Sequence, residues 1–155
     1  MRTVRSLPTL LILLLASVLT MPAHSDEQAQ EAIDTRQGLL KMVRLYFGPI
    51  VGMARQQIPF DAAVIERNAD AISALLPMIP DAFRADTRES GLSSGALDEV
   101  WEDWDGFVEK SAAATEAAQA LSEAAASGDQ GATMKAFGAL GGSCKGCHDD
   151  YREAD

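Results

Sequence analysis

The chain has 155 residues, with 13 Lys and Arg against 23 Asp and Glu and a formal net charge of -10. An acidic balance of this size argues against nucleic acid or an anionic membrane surface as partner, and its plain physical consequence is solubility. The length suits one domain with one core.

Met1 to Arg5 is a short basic segment carrying Arg2 and Arg5, followed by an apolar run from Leu7 to Leu19 and by the small residues around Ala23-His24-Ser25. That order is the order of a secretory signal peptide, with cleavage expected after Ser25 and residues 1–25 removed. The apolar run is well short of the roughly 20 residues that span a bilayer, so no membrane span is expected after cleavage. Export places the mature chain, residues 26–155, in the periplasm. Losing Arg2 and Arg5 takes the 13 basic residues to 11 against 23 acidic ones, a net charge of -12. His24 is lost as well, which leaves His148 as the one histidine of the mature chain.

Four helices are expected. From about Glu27 to Gln57, Ile33, Arg36, Leu40, Val43, Phe47, Ile50 and Ala54 recur at alternating spacings of three and four, the mark of a helix packing in a bundle. Arg36 is the odd member of that stripe. A charge in an apolar seam is costly unless paired, and two readings are open: a carboxylate partner, which could belong to a bound group, or a side chain that snorkels to water near the helix end. Gly48-Pro49 is expected to kink the helix. Asp61 is the expected cap of a second helix that runs to about Leu76, with Ile65, Ala69, Ile72 and Leu75/Leu76 inward.

Met78 to about Ser94 reads as irregular, either a loop over an edge of the site or a solvated linker. Ser93 or Ser94 is the expected cap of a third helix reaching about Ser127, with Leu97, Trp101, Trp104, Val108, Ser111, Thr115, Ala118, Ser122 and Ala125 on its inward stripe. Gly128 stops it. Asp129 then caps a fourth helix with Thr133, Phe137, Leu140, Cys144, Cys147 and Tyr151 inward. Gly138, Gly141 and Gly142 each cost about 1 kcal/mol relative to alanine inside it, and make sense where a flat ring comes close to the backbone.

The chemistry concentrates in Ser143-Cys144-Lys145-Gly146-Cys147-His148-Asp149-Asp150-Tyr151, which holds both cysteines of the sequence. C-x-x-C-H is the attachment signal of a c-type haem. Each thiol adds to one vinyl group of the porphyrin, so the two must stand one helical turn apart. At about 100° per residue, His148 falls beside them and offers the neutral imidazole of an axial ligand. A dithiol redox site wants a βαβ context, which is absent here. A structural zinc site wants four ligands, which two cysteines and His148 cannot supply. A plain disulfide leaves His148 without a role.

Helix count, the position of the attachment motif and the signal segment together resemble cytochrome c′, the class II c-type cytochromes. Arg36-Gln37-Gly38-Leu39-Leu40 is similar to the family's first-helix signature, and Gly141-Gly142-Ser143-Cys144-Lys145-Gly146-Cys147-His148-Asp149-Asp150-Tyr151-Arg152 is similar to its ending. Cytochrome c′ is itself a standing example of the antiparallel up-down-up-down four-helix bundle, so that all-α topology is implied by the resemblance.

The resemblance further implies one covalent haem c, Arg36 and Gln37 against the haem, Leu40 covering the distal face and Arg152 bordering the proximal pocket. In that family an apolar residue at the Leu40 position goes with five-coordinate, high-spin iron. In the low-spin cytochromes c556 a methionine stands there instead.

With His24 removed, a second axial histidine is impossible. Met42 lies about 200° round the helix from Leu40 and faces away. Met53, Met78 and Met134 read as packing residues. The expected function is therefore a periplasmic haem protein binding small gases (NO, CO), transferring electrons through the Fe(III)/Fe(II) couple with a redox partner protein, or both. The alternative is a low-spin carrier with a methionine sixth ligand. An apolar cover offers dioxygen no hydrogen bond. A peroxidase has no distal histidine to work with, so no enzymatic activity is expected. The family also implies a possible homodimer through the first two helices.

Overall fold

A computed structural model describes residues 22–154. The expected signal segment through residue 21 lies outside the described residues. The chain is built from α1 (Pro22–Ala54), α2 (Ala62–Leu75), a short α3 (Ile79–Phe83), a short α4 (Glu99–Glu102), α5 (Trp104–Ala126) and α6 (Gln130–Tyr151). No strand occurs among the described residues. The four long helices are the expected bundle.

Local chemistry sets most of the ends. Asp61 caps α2 by accepting from the Val64 N–H at 3.1 Å, and Asp129 caps α6 by accepting from Ala132 at 3.0 Å. Gly128 takes φ 74°, a left-handed conformation that glycine adopts without strain, and the chain turns there from α5 into α6. α1 passes through Gly48-Pro49 without ending. It stops at Ala54, three residues before the expected Gln57, because Gln56 turns to φ 58° and the Gln57 N–H bonds back to the Gly52 carbonyl at 2.8 Å.

The third helix departs from expectation. Neither Ser93 nor Ser94 caps it, and Ser94 instead accepts the Ala96 N–H at 3.2 Å. The helix breaks at Asp103, which leaves helical geometry at φ -116°, ψ 56° and caps α5 through the Gly106 N–H at 3.3 Å. Within α5 the expected Ser111, Ala118, Ser122 and Ala125 are buried. Trp101, Trp104 and Val108 are only half-buried, and Phe107, Ala114 and Leu121 join the core beside the expected stripe. The stretch from residue 76 to 90 is also less irregular than its prolines suggest, being a 3-10 turn at Leu76–Met78, then α3, then a further turn at Arg88–Ser90.

The main core joins Ile50 and Met53 of α1, Ile65, Ala69 and Ile72 of α2, Ala114, Ala118, Leu121 and Ala125 of α5, and Leu140 of α6. Buried polar groups tie the helices together. Asn68 donates to the Tyr46 carbonyl at 3.0 Å, joining α2 to α1, and Ser111 donates to the Leu76 carbonyl at 2.9 Å. A second cluster of Phe83, Val100, Phe107 and Tyr151 sits at the other end of the bundle.

Leu121 is fully buried in the main core. Leu121→Ala is therefore expected to cost about 2–5 kcal/mol of unfolding free energy in a urea titration. A loss under about 1 kcal/mol would mean that this layer collapses around the gap.

Candidate haem-attachment site

Helices pack in chain order, α1 on α2, α2 on α5 and α5 on α6, while α1 and α6 meet only sparsely. Their ring contact is Phe47 with Phe137, centroids 5.4 Å apart. Gln130 at the start of α6 borders the same hollow as Met53 and Gln56 at the end of α1, so the two helices run antiparallel. One heptad from the Phe47–Phe137 contact, about 10 Å along the axes, therefore lies Leu40 on one helix and Cys144 on the other.

At that level the inward stripes are left uncovered. Leu40 is 38% exposed, and Val43, Cys144 and Cys147 are only half-buried. A Cβ added to Gly138, Gly141 or Gly142 would meet nothing within 4 Å, so no protein atom crowds this part of α6. The half-covered strip between α1 and α6 at this level, termed the slot, lies where the macrocycle was expected.

Both cysteine sulfurs are free. Burial pushes the Cys144 thiol up, and burial also raises Cys147, where the Lys110 ammonium pulls the other way. Both remain thiols at neutral pH. Lys110 braces the motif from α5, donating to the Gly146 carbonyl at 3.1 Å and pairing with Asp150 at 2.5 Å. His148 is exposed in the last turn of α6, and its carbonyl accepts the Arg152 N–H at 3.2 Å. No group of three or more His, Cys, Asp or Glu side chains that would hold a metal ion occurs among the described residues. The donor set is two thiols one turn apart with an adjacent imidazole, and it fits a c-type haem.

Arg36 is 2% exposed and does not snorkel. Its Nε donates to the Ala82 carbonyl at 3.0 Å, Nη1 donates to Thr87 Oγ1 at 2.9 Å, and Nη2 donates to the Ala85 carbonyl. The guanidinium lies 4.9 Å from the Phe83 ring centroid and 5.2 Å from that of Trp101. Desolvation lowers its pKa and nearby Asp86 opposes this, so the group stays charged. Arg36 thus pins the segment after α3 onto α1. That segment is no solvated linker, because Thr87 and Phe83 are buried and Trp101 Nε1 donates to the Phe83 carbonyl at 2.9 Å.

Gln37 is exposed beside Arg36, and Arg152 is exposed just past α6, where it bridges Ala96. Phe83, Thr87, Asp103, Gly106 and Lys110 were not singled out from sequence. Among them, only an aspartate three residues before a glycine in a helical stretch left a signal, that of an N-cap.

A four-helix bundle that presents C-x-x-C-H beside an open slot is a c-type haem protein. The family model described as cytochrome c′ matches residues 31–152. The chain is 35% identical over 144 residues to cytochrome c′ of Cereibacter sphaeroides, which covers 91% of this chain and 96% of that protein. Among solved structures it is similar to cytochrome c prime from Shewanella frigidimarina, with TM-score 0.76, 36% identity, and 83% of this chain and 98% of that one covered. It is also similar to the nitric oxide complex of a mutant cytochrome c prime from Alcaligenes xylosoxidans, with TM-score 0.71, 32% identity, and 81% and 97% covered. The chain belongs to the cytochrome c′ family.

Removing the guanidinium strands the Ala82 and Ala85 carbonyls. Arg36→Leu is therefore expected to lower unfolding free energy by about 2–4 kcal/mol and to raise amide hydrogen exchange across residues 82–90. Unchanged exchange in that segment would show that Arg36 does not hold it.

Proposed function

We propose that this chain is a periplasmic haem protein whose one haem c is bound through Cys144 and Cys147, with His148 as axial ligand and the opposite iron position vacant. The observation that carries this reading is Leu40, an apolar side chain on the slot at the level of Cys144 where a ligand would have to stand. The methionines support it by their places. Met53 is buried in the main core and Met134 packs against that core, both on the far side of the Phe47–Phe137 contact from Cys144. Met78 is 52% exposed in the turn after α2, and Met42 is 42% exposed.

When bound, the haem would supply an iron with one open coordination position and an Fe(III)/Fe(II) couple. Cys144 and Cys147 would hold the ring to α6, and His148, on the same turn, would supply the imidazole ligand. Leu40 would cover the other side, so that a small neutral ligand such as nitric oxide or carbon monoxide would have to pass an apolar side chain that offers no hydrogen bond. The nitric oxide complex of the Alcaligenes relative supports this ligand class. Arg36 and Gln37 flank the slot one turn along α1, and Arg152 borders it beyond His148. Electron exchange with a partner protein is compatible with the same site.

The signal-like N-terminus supports export to the periplasm. Met42 and Leu45, 42% and 62% exposed on α1, are the apolar surface that a second copy would cover.

Leu40→Ala should speed carbon monoxide binding to the reduced holoprotein roughly tenfold, equivalent to about 1.4 kcal/mol of steric barrier. Stopped-flow mixing followed in the Soret band measures it, and an unchanged rate would mean that Leu40 does not guard the iron.

A further inference from the structure

The last turn of α6 is held by contacts that the haem-binding motif does not require. Tyr151 follows His148 by three residues and is 6% exposed, with its ring edge-on to Phe107 at 5.3 Å. Its hydroxyl donates to Asp103 Oδ2 at 2.7 Å, while Asp103 Oδ1 accepts the Gly106 N–H that starts α5. One carboxylate therefore caps α5 and holds the end of α6.

Gly106 is shaped to this contact. A Cβ there would lie 2.2 Å from Asp103 Oδ2 and 2.7 Å from the Tyr151 hydroxyl, closer than any side chain tolerates. Glycine is unfavourable within a helix, and at this position it is what lets the two groups meet. The backbone repeats the tether. The Leu97 N–H donates to the Tyr151 carbonyl and the Glu153 N–H to the Gly95 carbonyl, both at 3.1 Å. A helix terminus frays unless it is tied down, and this terminus carries the axial imidazole.

We propose that Asp103, Tyr151 and Gly106 form a clasp that positions His148, making Asp103 and Tyr151 positioning residues for the proximal iron–imidazole bond. The proposal rests on the reading of His148 as axial ligand. With the clasp intact, the turn bearing the imidazole keeps its place against α5 while the thioethers hold the ring. Without it, the turn is free to shift and the imidazole meets the iron less squarely.

The test is resonance Raman spectroscopy of the ferrous holoprotein, which reads the iron–histidine stretch, together with the reduction potential. Tyr151→Phe keeps the ring and every charge but loses the hydrogen bond. It should lower the stretching frequency and displace the potential. Gly106→Ala, which leaves both side chains in the sequence but drives a methyl group between them, should shift the band in the same direction.

Asp103→Asn keeps a cap and a hydrogen-bonding partner for Tyr151 and should leave the band near its original frequency. Adding Tyr151→Phe to Gly106→Ala should shift it no further, because both break one contact. A lowered melting temperature in Tyr151→Phe with an unmoved band and potential would overturn the proposal, leaving the clasp as a stabilising contact only. A missing iron–histidine band in the unmodified protein would overturn the five-coordinate reading instead, and the Tyr151→Phe potential would then decide the clasp by itself.

Discussion

The contact of Phe47 with Phe137 fixes how the bundle divides. On one side of it the four helices close over a core of Ile, Leu and Ala, with Ile50, Leu121 and Leu140 excluded from solvent. On the other side α1 and α6 continue without filling the space between them, so Leu40 and Cys144 stay partly open to solvent. Such a gap is unfavourable for a protein that must bury apolar surface to fold. It is the shape expected of a chain that completes its core with a large flat prosthetic group. A bundle closed along its whole length would have no room for one.

The slot is bordered by a second, more aromatic unit. Arg36 reaches from α1 to the carbonyls of Ala82 and Ala85, and its guanidinium stacks near both the Phe83 and the Trp101 rings. Phe83 packs on Phe107, and Phe107 packs on Tyr151. The segment joining α2 to α5 thereby touches the slot-lining part of α1 and the last turn of α6 together. A buried cation here stabilises through hydrogen-bond satisfaction rather than charge pairing, because its named acceptors are two carbonyls and a hydroxyl. That arrangement organises backbone which would otherwise have no helix to belong to.

Much of this was legible in the sequence because it rests on periodicity and on covalent chemistry. The three-four spacing of Thr133, Phe137, Leu140, Cys144, Cys147 and Tyr151 put the motif on the inward face of α6, and burial of Thr133, Leu140 and Tyr151 agrees with that face. The caps Asp61 and Asp129 followed from local hydrogen bonding alone. The start of α5 and the full width of its buried face did not. Ser111, Ala118, Ser122 and Ala125 are buried on the expected stripe, but Phe107, Ala114 and Leu121 beside it are buried as well while Trp104 and Val108 stay half-buried, and no periodic pattern reports the break between α4 and α5 at Asp103. Arg36 shows the same limit. Its stripe position announced burial, but its acceptors lie 46 to 51 residues away in a segment without periodicity.

The proposed function depends on the second face of the iron, and the electron paramagnetic resonance spectrum of the ferric holoprotein reads it directly. If, as proposed, His148 ligates one side and only Leu40 stands on the other, the spectrum should be that of high-spin iron, without a low-spin species of comparable weight. A predominantly low-spin spectrum would mean that a strong-field protein ligand occupies the sixth position, and that Leu40 does not stand where the slot places it.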